Sequence, residues 1–303
     1  MSKGSSYWGT ARGKIGNTVV SVVRGQRIER AWQPSVRNPR TPPQMIQRAK
    51  FFSAVEFYKN SRQGLFKMAF EDKRQTESDY NAFMRHNTMG APMLSREVVE
   101  YGDGTRAQVA WTWQVSNGSL EPVTIAAVAN TPGKYSIGFI SAPIEVTDVA
   151  ELSDSLINSG AYQAGDIVTI VEQVTDIETA SPDDGVGLLP AFVGKGGVAN
   201  QFTIKQFALN QTDNTPLEDY NISYNGTEKK LNLTSFSDAT NVIRTAAIIV
   251  SRPGVTLKVS TANMAGDSYT NTQFETMKTE DWQEGVLQQW KTAEAAILEG
   301  SLV

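Results

Sequence analysis

Between residues 107 and 261 the chain breaks into eight short runs: AQVAWTWQV, VTIAAVA, YSIGFIS, DIVTIVEQV, QFTIKQFAL, KKLNLTSF, RTAAIIVS and VTLKVST. Each is rich in β-branched and aromatic residues, and Gly, Pro, Asn and Asp punctuate the stretches between them. Short strands at this density build packed antiparallel sheets rather than a sheet that alternates with helices. The expected fold is therefore α+β, mainly β. One or two Ig-like β-sandwiches fill residues 101–265, divided, if two, into 101–185 and 186–265.

The flanks have other periods. Residues 17–32 read as a β-hairpin, with Val20 and Val22 alternating against Val19, Ser21 and Val23 and a turn at Arg24 and Gly25. QPSVRNPRTPP follows as an extended connector. Thr41, two prolines and Gln44 form a helix start, and Met45, Ala49, Phe52 and Val55 then recur at helical spacing, which predicts a helix over 42–59. A short helix is expected over 63–71. Another is expected over 77–86, capped by Thr76, with Tyr80, Phe83 and Met84 on its apolar side. Residues 279–299 place Trp282, Val286, Trp290, Ala293 and Ile297 on one stripe of a closing amphipathic helix. The expected organisation is a basic arm (1–40), a helical platform (41–100), the sandwich region (101–265) and a C-terminal helical segment (266–303).

Charge divides the chain. The first fifty residues hold ten Lys and Arg against the single acid Glu29, whereas residues 141–194 hold ten acids and no Lys or Arg. The chain has no cysteine, which excludes disulfide frameworks, thiolate catalysis and Cys-ligated metals. The opening MSKGSSYWG lacks the apolar core of a signal peptide, and no apolar run reaches the ~20 residues that span a bilayer. These features lead to the expectation of a protein assembled in a cytoplasm, with no membrane partner.

Catalytic motifs are not found. Gly9, Gly13 and Lys14 invite comparison with a phosphate loop, but Trp8 stands where the first glycine belongs and Ile15 follows the lysine. GKGG at 194–197 reads as a turn. His86 sits near a helix end and reads as structural. Asp183, Asp184 and Gly185 lack the carboxylate ladder of a calcium loop. Five N-x-S/T triplets carry no weight without a secretion signal. No enzyme, cofactor or metal is expected.

The arm is therefore the candidate site. Trp8, Arg12, Lys14, Val19, Val20, Val22, Arg24, Arg27, Arg30, Trp32, Arg37 and Arg40 are the candidate partner-docking residues. Strand addition through 19–23, with Trp8 and Trp32 as anchors, is one mode. Contact with nucleic-acid phosphates is another, and a plain solvated tail is the third reading.

GKIGNTVVSVVRGQRIERAWQPSVRNPRTPPQMIQRAKF, YNAFMRHN and AAIIVSRPGVTLKVST together resemble an uncharacterised family of Bacteroidota and their bacteriophages. Its members open on a similar G-K-x-G-N strand and R-G turn. Gly13, Lys14, Gly16 and Asn17 match that opening, while Asn38, Pro39, Arg40, Thr41 and Gln44 match its linker and cap. The resemblance covers the first ~90 residues and, more loosely, the late β region. It implies no catalytic residues.

The function expected from all this is a structural protein of a tailed bacteriophage particle: a head decoration, collar or ring/neck (head–tail connector) component. It would assemble in the host bacterial cytoplasm and reside in the virion. Its expected partners are capsid, portal or neck subunits and further copies of itself, with at most weak nonspecific nucleic-acid binding. A nucleic-acid-binding accessory protein is the alternative, and an extracellular adhesion module comes third.

Overall fold

The computed structural model describes residues 2–3, 13–23, 26–33, 41–61, 69–93, 110–139, 145–176, 201–238, 242–280, 283–285, 287–288 and 291. The chain divides into two compact units, Met1–Gln44 and Met45–Val303. The first holds strands β1 (Ser2–Lys3), β2 (Gly13–Ile15), β3 (Thr18–Val23) and β4 (Gln26–Ala31) in the antiparallel order β1-β4-β3-β2. The expected hairpin is its middle pair. Val23 pairs with Gln26, which leaves a two-residue connection at Arg24 and Gly25, themselves outside the described residues. The expectation of a lone hairpin is too small: Ile15 pairs with Thr18, so Gly16 and Asn17 close a second tight turn, with Gly16 at φ +57°. Trp32 prolongs the ladder by donating its backbone N–H to the Asn17 carbonyl at 2.7 Å.

The second unit begins with α1 (Pro42–Ser61), in which the Gln44 N–H donates to the Thr41 carbonyl. Met45, Ala49, Ser53, Ala54 and Phe57 form its buried face. In α2 (Asp79–Asn87) the cap is Ser78 rather than Thr76: its side chain accepts from the Asn81 N–H at 3.2 Å. Glu77, expected inside this helix, lies before it and binds Arg85. The helix expected over 63–71 falls partly outside the described residues, and its end is not helical, since Phe70 bridges to Asn117 and Glu71 lies in a turn.

Further along come β5 (Gln114–Ser116), β6 (Thr124–Ala127), β7 (Lys134–Gly138), α3 (Val149–Asn158), β8 (Ile167–Asp176) and β9 (Gln201–Ala208). A 3-10 turn (Leu217–Tyr220) precedes β10 (Ile222–Asn225) and β11 (Lys230–Thr234). The chain then runs through β12 (Val242–Arg252), β13 (Lys258–Val259), β14 (Ala262–Asn263), β15 (Ala265–Gly266) and α4 (Ser268–Met277). A four-stranded antiparallel sheet has the order β10-β11-β7-β6, a five-stranded one the order β13-β12-β8-β9 with β15 also on β12, and β14 pairs with β5.

β12 organises the body. Ile243, Ala247 and Ile249 enter a core with α1, α2, Trp113 and Phe274 of α4, while Ala246, Ile248 and Val250 enter a second core with Tyr135, Leu231, Leu233 and Leu152 of α3. Period-2 alternation in a strand buried on both sides makes this sheet a middle layer. The four-stranded sheet and α3 cover one face, and the helices cover the other. The fold is α+β and mainly β. Both sheets take strands from either side of residue 185, so they form one sandwich rather than consecutive ones at 101–185 and 186–265.

Two expected strands are shorter than their composition suggests. Of the residues described within 107–115, which begin at 110, only Gln114 and Val115 lie in a strand. There the Trp113 N–H donates to the Trp111 carbonyl at 2.8 Å, a tight turn that sends both indoles into the same core. In 255–261 only Lys258 and Val259 pair as a strand, and Val255 is fully exposed. Within the expected C-terminal helix, residues 280, 283–285, 287–288 and 291 are helical, Leu287 packs against the first core, and the rest lies outside the described residues.

Candidate docking surface

Register sorts the arm's side chains. Lys14 lies opposite Val19, and Val19 opposite Arg30, so these three share one face of the sheet. In the backbone register Lys3 pairs with Ile28. Val20, Val22, Arg27 and Glu29 occupy the other. The two faces differ in charge balance. On the second, Arg27 Nε lies 3.2 Å from Glu29 Oε1 and the pair cancels. On the first, Lys14 and Arg30 are exposed, and the Lys14 ammonium sits 3.2 Å from the centroid of the Trp32 ring, a cation–π contact on an indole that is itself 40% exposed. The period-2 spacing of Arg30 and Trp32 against Arg27 and Glu29 was the signal for this division in the sequence.

The candidate residues therefore separate. Lys14, Arg30, Trp32 and Val19 come together on one face, while Val20, Val22 and Arg27 lie on the other. Trp8, Arg12, Arg24, Arg37 and Arg40 lie outside the described residues. Strand addition through Val19 and Val20 is closed off, because β3 is flanked by β4 and β2 there; the outer strands of the sheet are β1 and β2.

The body presents the opposite charge along one shelf. The N-terminus of α3 is tied to the segment after β9: the Val149 N–H donates to the Thr215 carbonyl, the Leu217 N–H to the Thr147 carbonyl, and Gln211 Nε2 to Asp154 at 2.5 Å. Glu151, Asp154, Glu218 and Asp219 are exposed there. Hydrogen bonds from the Thr147 N–H and hydroxyl hold the Glu151 carboxyl below the ordinary glutamate range, so it stays ionised. Lys205, across from this segment, donates to the Asp219 carbonyl at 2.7 Å.

Ionisable groups inside the body are committed to structure. Asp267 Oδ1 accepts from the Thr270 N–H and Oδ2 from the Gly133 N–H, and Arg244 Nη1 lies 3.6 Å from Oδ2. Glu172 Oε2 accepts from the Phe236 N–H. Burial pushes the Glu172 carboxyl up, and burial with the nearby Asp267 and Glu172 charges pushes the Tyr135 phenol well up. With Tyr135 and Asp267 at 0% exposure and Glu172 at 1%, this knot has no opening to a substrate. His86 stacks on Phe70 and places Nε2 2.9 Å from Asp72, which also pairs with Arg85. Partial burial opposes ionisation of Asp72, but hydrogen bonds from Arg85 and Asn117 and the neighbouring cations outweigh it and bring its pKa to about 2. Among the described residues no group of His, Asp and Glu could hold a metal ion, and no helix is long and apolar enough to cross a membrane.

A pocket of about 290 Å³ beside α4 is lined by Trp111 and Phe274 (ring centroids 4.6 Å apart) together with Asn271, Glu275 and Lys278.

A family of unknown function (DUF6266) has a model that matches residues 9–130, which runs from the arm through α1 and α2 to β6. No curated protein and no solved structure matches the chain.

Proposed function

We propose that this chain is a structural component of a tailed bacteriophage particle, a head-decorating, collar or ring/neck protein that works by protein–protein docking through its arm. The observation that supports this reading is the arm itself: a separate unit whose paired strands place Lys14 and Arg30 around the exposed Trp32 on one sheet face. Aromatics and arginines concentrate binding energy at protein interfaces. Guanidinium and ammonium groups on such a face pair with carboxylates of a neighbouring subunit. The reading assigns no catalysis, and it places the protein in the virion after assembly in the host cytoplasm. Mass spectrometry of purified particles from a host that carries the gene tests it: the chain is expected at a fixed copy number relative to the capsid protein. Particles that lack it contradict the reading.

The same face supports a second reading, because cations beside an exposed indole also suit a single nucleic-acid strand. An oligonucleotide titration decides. Binding that is tight at physiological salt and lost with Lys14→Glu would favour nucleic acid, whereas the docking reading expects only weak, salt-sensitive binding.

A further inference from the structure

We infer that the partner of the arm's Lys14–Arg30–Trp32 face is a second copy of this chain, which it meets at the acidic shelf formed by α3 and the 211–219 segment. This inference rests on the docking reading above and names its partner.

Charge complementarity carries it. Residues 1–44 hold eight Lys and Arg and the single acid Glu29, and residues 145–176 hold no Lys or Arg. On the shelf the exposed Asp154 and Glu218 come from two segments that backbone hydrogen bonds fix to each other, so the carboxylates are presented together rather than on independent loops. The hydrogen-bond donors to the Asp154 and Glu151 carboxylates are neutral, Gln211 and Thr147 respectively. Lys205 also reaches this segment, but the four exposed carboxylates Glu151, Asp154, Glu218 and Asp219 outnumber it and leave these five side chains with a net negative charge. The arm face is the converse, with the Lys14 ammonium on the Trp32 ring and Glu29 turned to the opposite face. Every copy of the chain carries both the cationic arm face and the acidic shelf, so a second copy offers the complementary surface. One arm and one shelf per chain make a head-to-tail contact, and such a heterologous contact closes into a ring or continues as a lattice.

Sedimentation of the full chain at about 50 and 500 mM salt, compared with four variants, tests the inference. The expected result is concentration-dependent association at low salt that is weakened roughly tenfold or more by Lys14→Glu with Arg30→Glu, and equally by Asp154→Lys with Glu218→Lys. Mixing the two reversed chains restores it, because each arm then meets a shelf of opposite sign. Circular dichroism confirms that each variant is folded, and the neutral pairs Lys14→Gln with Arg30→Gln and Asp154→Asn with Glu218→Gln give intermediate weakening. A chain that stays monomeric at low salt, or association that survives both reversals, overturns the inference. If the chain is monomeric yet Lys14→Glu with Arg30→Glu removes it from particles, the docking reading stands and its partner is a different subunit. If the variant is incorporated normally, the docking reading falls as well.

Discussion

β3 in the arm and β12 in the body are both interior strands with neighbours on either side, yet their side chains have different fates. Residues 242–250 of β12 are buried without a break, and each face of the strand ends in a core. On β3, Val20 is buried while Thr18, Val19 and Ser21 are partly covered and Val22 is 41% exposed. Val20 of β3 pairs on both sides, with Gly13 and Glu29, as Thr245 of β12 does with Gln173 and Gly266, so two-sided pairing does not distinguish the strands. What differs is the extent of burial, continuous over 242–250 on β12 and confined to Val20 among the described side chains of β3. A strand closed on both faces holds a fold together, whereas one left open keeps side chains available to a partner.

The largest expected effect lies on the closed side. Trp113 is 1% exposed and stacks on Phe57 at 4.9 Å, so Trp113→Ala is expected to destabilise the body by about 3–5 kcal/mol in urea unfolding. Trp32→Ala, the matching truncation on the open side, is expected to fall within about 0.5 kcal/mol of wild type. Similar losses from the two would break the comparison.

Asp267→Ala comes next. It removes the cap of α4, the acceptor of the Gly133 N–H and the carboxylate 3.6 Å from the buried Arg244 guanidinium, with an expected cost of about 3 kcal/mol. Asp267→Asn keeps an acceptor for Thr270 and is expected to cost less.

Glu172→Gln gives a smaller effect of opposite sign. Burial raises the folded pKa of this carboxyl above its unfolded value, so the folded state binds the extra proton in the window between them. Stability from this group is therefore present at low pH and lost as pH rises through the folded pKa. Glu172→Gln should raise the melting temperature at pH 8, with a gain that shrinks as the pH is lowered toward 5. A gain that does not vary with pH would contradict this account.

How much of this was legible in the sequence depended on which signal was local. The helix at 42–59, the hairpin at 17–32 and most strands follow from apolar period and turn residues, which act within a few positions. α3 was equally local, with Asp148 accepting from the Glu151 N–H, Glu151 reaching back to Thr147, and Val149, Leu152 and Leu156 at helical spacing. The acid count that marks this region carries charge but no period, so it does not by itself indicate a helix. The γ-turn between Trp111 and Trp113 was not legible, since only the shared core explains why both indoles point the same way. The single sandwich was not legible either, because strand order across residue 185 is a long-range property. For the candidate site, the composition of the arm indicated cations and tryptophan, but separating Lys14, Arg30 and Trp32 from Arg27 and Glu29 required the register.

The central claim is that the arm serves docking and the body serves folding, and deletion of residues 1–40 tests it most directly. The account predicts that the shortened chain melts within about 2 °C of the full chain, a change of less than ~1 kcal/mol for a unit of this size. It also predicts that the shortened chain is absent from purified particles. Incorporation at the full-length copy number would contradict the account.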